Sequence, residues 1–364
     1  MSEWRLSDIA EIVDCEHKTA PKIRMSDFYS IRTTDISNGK IAFENANRVA
    51  EETYNEWTKR AIPEVGDIIL AREAPVGEVG WVKEGYKVCL GQRTVLIRIK
   101  NSDVSNRFIL YYLVNPETKY ELQVRSVGSV VSHLNMKDIR GFEINIPPLP
   151  EQKAIAEVLS ALDDKIDLLH RQNKTLEQMA ETLFRQWFVE EAGEDWEETT
   201  LGDVSHFKNG KSRPKDEGNY PIYGGNGVLG FANEFNAENE SIVIGRVGAY
   251  CGSLYFENQN IWVSDNAIIG KAKNDNYLYF IFYFLKSMNL NDLAEGSSHP
   301  LLTQTLLNKI VLQKPPISTV GQFNIQIGNY FRKKESNQKQ IRTLESLRDT
   351  LLPKLMNGEI RVAL

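Results

Sequence analysis

Two short basic stretches carry the side chains best suited to chemistry with an anionic partner. Glu16-His-Lys18-Thr-Ala-Pro-Lys22-Ile-Arg24 supplies Lys18, Lys22 and Arg24. Lys208-Asn-Gly-Lys211-Ser-Arg213-Pro-Lys215 supplies Lys208, Lys211, Arg213 and Lys215 at the matching place in the second half. Such side chains neutralise phosphates, and Arg, Asn, Ser or His can also read base edges. Arg72 and Arg246 each follow a strand-like run and precede a glycine-containing turn. Arg125, Ser129 and His133 in one half, and Ser297, Ser298 and His299 in the other, belong to small polar loops of the kind that approach a DNA backbone closely. A solvated loop explains any one of these residues. Their recurrence at matching places in both halves favours a binding role for the set.

Other chemistries lack their residues. Gly225-Asn-Gly-Val-Leu-Gly230 fits G-x-G-x-x-G, but a dinucleotide site needs a helix after it, and Phe231-Ala-Asn-Glu-Phe235 continues none. A glycine-rich hairpin or groove-edge loop is the expectation. The chain has no P-loop, no H-E-x-x-H and no Asn-Pro-Pro-aromatic tetrapeptide. His17, His133, His170, His206 and His299 are scattered, so no catalytic residue is assigned. Cys15, Cys89 and Cys251 are isolated, which argues against a disulfide framework or a zinc site and fits a reducing cytoplasm. No metal site is expected. The start of the chain reads as no signal peptide, and no apolar run suggests a membrane span.

The net charge of −6 is at first sight unsuited to nucleic acid, but it is unevenly spread. Residues 1–150 hold 20 Lys and Arg against 21 Asp and Glu, and residues 199–314 hold 10 against 11. Residues 151–198 hold 5 against 13, whereas residues 315–364 hold 8 against 4. The acid excess therefore sits in one segment, and local basic patches elsewhere remain free to meet phosphate.

The elements that must position these loops come as a repeat. Shifting the sequence by 168 residues lays Gly128–Trp187 on Gly296–Leu355 without a gap. Pro147-Pro148 meets Pro315-Pro316, and Lys174-Thr-Leu-Glu177 meets Arg342-Thr-Leu-Glu345. Upstream, Asp67–Arg72 resembles Ser241–Arg246 more loosely. The unit is a globular block followed by a helix, used twice. After the first proline pair, Ile155, Leu159, Leu162, Ile166, Leu169, Asn173, Leu176, Ala180, Leu183 and Trp187 alternate steps of 4 and 3, a coiled-coil seam. The second seam runs Phe323, Ile327, Tyr330, Lys334, Asn337, Ile341, Leu344, Arg348, Leu351 and Leu355, and its polar members suggest partial exposure or a partner. The prolines start each helix, and Asn357-Gly358 ends the second. Opposite net charges favour antiparallel pairing within the chain over a parallel pairing between two chains. Strands are expected at Asp67–Ala71, Arg93–Ile99, Ser241–Ile244 and Ala267–Ile269, with buried helices at Asn106–Val114 and Tyr277–Lys286. The fold class is α+β: two mixed α/β domains (1–147 and 193–314) separated by two long helices (148–192 and 315–364), with a pseudo-twofold internal repeat.

This plan, with Pro147-Pro-Leu-Pro-Glu-Gln152 and the helix ending Leu183-Phe-Arg-Gln-Trp-Phe-Val189, resembles the specificity (S) subunit of type I restriction–modification systems. The second copy departs from it, with Ser318, Thr319 and Val320 in place of Pro150, Glu151 and Gln152. The resemblance implies two target-recognition domains, each reading one half of a bipartite site in double-stranded DNA, with the helices setting the spacer. It implies no catalysis and no cofactor in this chain. Two methyltransferase (M) subunits would bind S-adenosylmethionine, and endonuclease (R) subunits would use ATP and Mg²⁺. The competing expectations are a coiled-coil adaptor that binds only proteins and a self-sufficient DNA-modifying enzyme.

Overall fold

The computed structural model describes residues 2–126, 132–215, 217–296 and 300–362. The chain divides into two compact units, Met1–Leu168 with Gln340–Leu364, and Leu169–Lys339. Each long helix contributes one part to each unit.

In the first unit, Ala10–Asp14, Thr94–Ile99, Ile68–Ala71 and Val79–Trp81 form an antiparallel sheet in that order. Both central strands are nearly all apolar, as strands covered on two faces must be. One face packs against the helix Asn106–Val114 through Phe108, Ile109 and Leu110. The other meets a small sheet in which Phe28–Ile31 lies between Asn47–Val49 and Lys87–Leu90. Ser2–Arg5 pairs with Glu143–Ile146 beside the helix start.

The second unit repeats this plan. Ser205–Asn209, Ala267–Ala272, Ser241–Gly245 and Leu254–Glu257 form the sheet in the same order of use. Leu278–Ser287, preceded by a short 3₁₀ turn, covers it. Glu197–Thr200 pairs with Val311–Lys314, the counterpart of the terminal pair in the first unit. Tyr220–Gly224 and Gly227–Ala232 form a hairpin with Gly227 at φ 80°, so the G-x-G-x-x-G run is a turn between strands with no helix after it.

The long helices span Leu149–Arg185 and Ile317–Met356, each starting directly after its proline pair. Gly358 sits at φ 72° just past the second. Pro147 and Pro315 each present a carbonyl that needs a donor at this entrance, and the two copies supply it differently. Gln152 Nε2 donates to Pro147 O at 2.8 Å, whereas the Tyr277 hydroxyl donates to Pro315 O at 2.8 Å. Gln152 also accepts from Ser105 N (2.8 Å) and donates to Asp103 O (3.1 Å). Relieved of this task, the matching position in the second copy is the buried Val320.

Within each unit the helix segments run antiparallel. In the first, Ile155 and Leu159 share a core with Leu352, Leu355 and Met356, and Arg348 reaches Asp163 at 2.9 Å. In the second, Phe184 packs on Phe323, Lys334 pairs with Glu177 at 2.9 Å, and Asn337 donates to Asn173 at 2.9 Å. The polar seam residues thus find partners on the facing helix: Lys334 and Arg348 remain partly exposed, as expected, while Asn337 is buried and donates to Asn173 with its own Oδ1 left without a partner among the described residues. The seam is also wider than its alternating pattern. Phe184 and Phe188 are more deeply buried than the seam residues Leu183 and Trp187, because each also faces its unit's core helix. Among the described residues no helix is long and apolar enough to cross a membrane.

Candidate nucleic-acid interface

Each unit sets one arginine just past a buried central strand, Arg72 after Ile68–Ala71 and Arg246 after Ser241–Gly245. Their backbones are held alike. Arg72 N donates to Arg93 O at 3.0 Å and Arg72 O accepts from Leu134 N at 2.8 Å. Arg246 N donates to Asn266 O at 3.0 Å and Arg246 O accepts from Leu302 N at 2.8 Å. The flanking bridges, Glu73 to His133 and Val247 to Leu301, also correspond.

The side chains part company. Arg72 Nη1 donates to both oxygens of Asp14, at 3.1 and 2.9 Å, and its Nε donates to Leu134 O at 3.1 Å. Arg93 pairs with Glu73 at 2.9 Å. The strand register places Asn209 where the first unit has Asp14, since both stand opposite the central-strand residues that pair Leu70 with Val95 and Ile244 with Ile268. Val247 stands in for Glu73 and Asn266 for Arg93. The first corner holds two guanidiniums and two carboxylates. The second holds one guanidinium with no carboxylate among these positions, and Arg246 Nε is enclosed without a hydrogen-bond partner among the described residues.

Asp14 also meets His17, whose Nε2 lies 3.0 Å from Oδ2, and Cys15 Sγ accepts from Arg93 N at 3.2 Å. Asp14, Cys15 and His17 offer three potential ligand atoms within 4.8 Å of one another. The Arg72 guanidinium already covers both carboxylate oxygens, so the corner is a closed hydrogen-bonded latch.

The remaining sequence candidates are dispersed. Lys18, Lys22 and Arg24 are exposed on the loop beyond this latch. Lys208, Lys211, Arg213 and Lys215 are exposed in the second unit, with Lys208 Nζ 3.4 Å from Asn236 O. Arg213 lies across the hairpin, where a Cβ on Gly230 would come within 2.5 Å of its Nη2. His133 is half-buried in the bridge to Glu73. Arg125 stacks on Phe142 at 4.8 Å. Ser129, Ser297, Ser298 and His299 lie outside the described residues.

Arg125 belongs to a cluster that sequence reasoning missed. A groove of about 570 Å³ gathers Arg5, Arg125, Lys137 and Arg140 against Asp138 and Glu143. These residues come from three separated segments, so no local run announces them. By strand register and by the gapless repeat, Arg5, Lys137 and Arg140 correspond to the uncharged Thr200, Thr305 and Asn308, while the lining residue Gly141 corresponds to Lys309.

Two carboxylates on the first long helix are held by lysine pairs. Asp167 lies 2.6 Å from Lys40 and 3.0 Å from Lys83 in the first unit. Glu177 meets Lys286 and Lys334 in the second. Burial pushes each carboxyl up, but the lysine hydrogen bonds outweigh it and hold both below their ordinary values.

Comparison with known proteins agrees with this architecture. The family model described as type I restriction modification DNA specificity domain matches residues 1–178 and 193–348. The MjaIX specificity subunit of a type I restriction enzyme from Methanocaldococcus jannaschii is 27% identical, covering 99% of this chain and 94% of that protein. A putative type I specificity subunit from Mycoplasma genitalium is 25% identical over 77% of this chain and 78% of that one. The crystal structure of a type I restriction–modification S subunit from M. genitalium has the same fold, with a TM-score of 0.63 at 18% identity, covering 97% and 95% of the two chains. Duplicated sheets, paired helices and a twofold family match lead to one assignment: the chain belongs to the type I restriction–modification DNA specificity family, the non-catalytic, sequence-recognising subunits of these enzymes.

Proposed function

We propose that each globular domain reads one half of a bipartite DNA site, that the two long helices set the spacer between the halves, and that the chain docks two methyltransferase subunits. The observation that carries this reading is the repeated corner. One chain builds the same strand-end arginine twice, with the same backbone hydrogen bonds, and arms it with different neighbours. Two copies of one scaffold with different side chains suit two different half-sites met by two identical partners. S-adenosylmethionine belongs to those partners, ATP and Mg²⁺ to the endonuclease subunits, and the assembly works in the cytoplasm.

The test is to express the chain with its methyltransferase partner and sequence the methylated motif. Insertion of one heptad in both helices at matched positions adds about 10 Å. At about 3.4 Å per base pair, the spacer is expected to lengthen by about three base pairs. An unchanged spacer rules out the spacing role. Charge reversal of Lys208, Lys211, Arg213 and Lys215 is expected to abolish motif-specific binding, and full retention would favour the protein-only adaptor.

A further inference from the structure

The corner that distinguishes the two units assigns a role to one residue. Arg72 and Arg246 occupy the same backbone position, so the difference lies in what surrounds the guanidinium. Arg72 is neutralised: Asp14 takes it from one side and Leu134 O from another. Around Arg246 those carboxylates are replaced by Asn209 and Val247. The change leaves a half-buried arginine with no side-chain partner among the described residues. No outside acceptor reaches the enclosed Nε, so what a ligand can complete is the Nη pair of the same guanidinium, which has no partner among the described residues.

The surroundings say which acceptor. Nε is enclosed while the residue as a whole is half-buried, so the Nη1 and Nη2 pair is the end left for a ligand. The turn that follows carries Val247 and Tyr250, 36% and 51% exposed, and no lysine or second arginine. The hairpin tip adds exposed Val228 and Leu229, and Gly225 there packs against Gly245 and Tyr250. At the strand end a single guanidinium stands beside apolar side chains, with Arg213 lying across Gly230 of the hairpin, and such a fork suits a base edge in a groove better than a rail of phosphates, which takes several cations.

We infer that Arg246 is a specificity-determining contact of the second domain, its Nη pair reading the O6 and N7 edge of a guanine, whereas Arg72 at the same place is a positioning residue held by Asp14. The inference rests on the reading of two half-sites and narrows it to one residue. It also explains why the pair of acids is missing in one copy: a carboxylate at 209 would occupy the fork that the base needs.

The experiment uses the full chain in complex with its methyltransferase partner, with the methylated motif and salt-dependent DNA binding as readouts. Asn209→Asp puts a carboxylate at the register position of Asp14 without altering Arg246 itself. It is expected to relax one guanine position in one half-site and to weaken cognate binding roughly 5- to 100-fold, leaving the other half-site intact. Arg246→Met, which keeps the side-chain volume, is expected to do the same with little change in melting temperature. Arg72→Ala is expected to lower the melting temperature and leave the motif unchanged. A wild-type motif and affinity in both Asn209→Asp and Arg246→Met overturn the inference. So does an equal loss on all DNA with a shallower salt slope, which marks a phosphate contact. If wild-type complex methylates a motif with no second half-site, the two-half-site reading fails on its own evidence.

Discussion

The first unit closes its strand-end arginine with a carboxylate and gathers open positive charge in a groove, around Arg5, Arg125, Lys137 and Arg140. The second unit has Thr200, Thr305 and Asn308 where the groove has Arg5, Lys137 and Arg140, keeps one cation, Lys309, at the position of Gly141, and leaves Arg246 unpaired among the described residues. One backbone plan therefore serves two surfaces whose charges sit in different places. Duplication preserved what the core demands, namely strand register and helix entry, and released what only the surface decides. The helix entrances show the same freedom in miniature, since Gln152 and Tyr277 satisfy equivalent carbonyls from different elements.

The largest effect is expected where the two helix seams differ in burial. Asp163 and Arg348 are 14% and 18% exposed, and Asp163 also accepts from Tyr111 at 2.8 Å. Asp163→Ala takes one carboxylate from a half-buried guanidinium that keeps Asp349, and the acceptor from the Tyr111 hydroxyl, and is expected to cost about 2–3 kcal/mol in denaturant unfolding. Glu177 at its lysine pair is 38% exposed, and Glu177→Ala is expected to cost about 1 kcal/mol or less. Equal losses would show that burial does not separate the two seams.

Next come the helix entrances. Gln152→Ala strips donors and acceptors from Ser105, Asp103 and Pro147, and is expected to cost about 2 kcal/mol. Tyr277→Phe removes one hydrogen bond in the second unit and is expected to cost about 1 kcal/mol. Thermal melts of the two variants compare the solutions directly, and a larger loss for Tyr277→Phe would reverse the ranking.

A smaller effect is expected at the groove. Lys137 and Arg140 are exposed, so Lys137→Ala with Arg140→Ala should leave the fold intact. If the groove faces phosphate, DNA binding weakens on every sequence and the salt slope falls by about 1 for each phosphate no longer neutralised. Thr305→Ala with Asn308→Ala, at the matching positions, is expected to leave that slope alone. A changed motif in the Lys137/Arg140 variant would make the groove a base reader instead.

The smallest effect is a shared one. Asp167 and Glu177 are held below their ordinary values in the folded chain. Their contribution is complete above the unfolded carboxylate pKa, about 3.9 for Asp and about 4.3 for Glu. It is lost as pH falls through the lower folded values. Asp167→Asn and Glu177→Gln are each expected to flatten part of the acid limb of the stability profile. An unchanged limb in both would show that the lysine pairs stabilise neither unit.

The repeat, the helix seams and the central strands were legible because each has a period or a gapless match that local sequence carries. Leu70, Val95, Ile244 and Ile268 announce buried strands by type alone. The latch was not legible, because Asp14 and Arg72 are 58 residues apart and only strand pairing brings them together. The polar seam members were half legible: Lys334 and Arg348 are partly exposed as their type suggests, but the partners Glu177, Asn173 and Asp163, and the full burial of Asn337, show only once the helices are paired. Phe184 and Phe188 escaped the heptad pattern because two surfaces, the facing helix and the domain core, compete for one helix face.

One measurement reaches the central claim that a single chain carries two differently armed readers. Methylome sequencing of cells carrying this chain with its methyltransferase partner should return one bipartite motif, two unlike half-sites around a fixed non-specific spacer. A single uninterrupted motif, two identical half-sites, or methylation unchanged when the chain is deleted would contradict it.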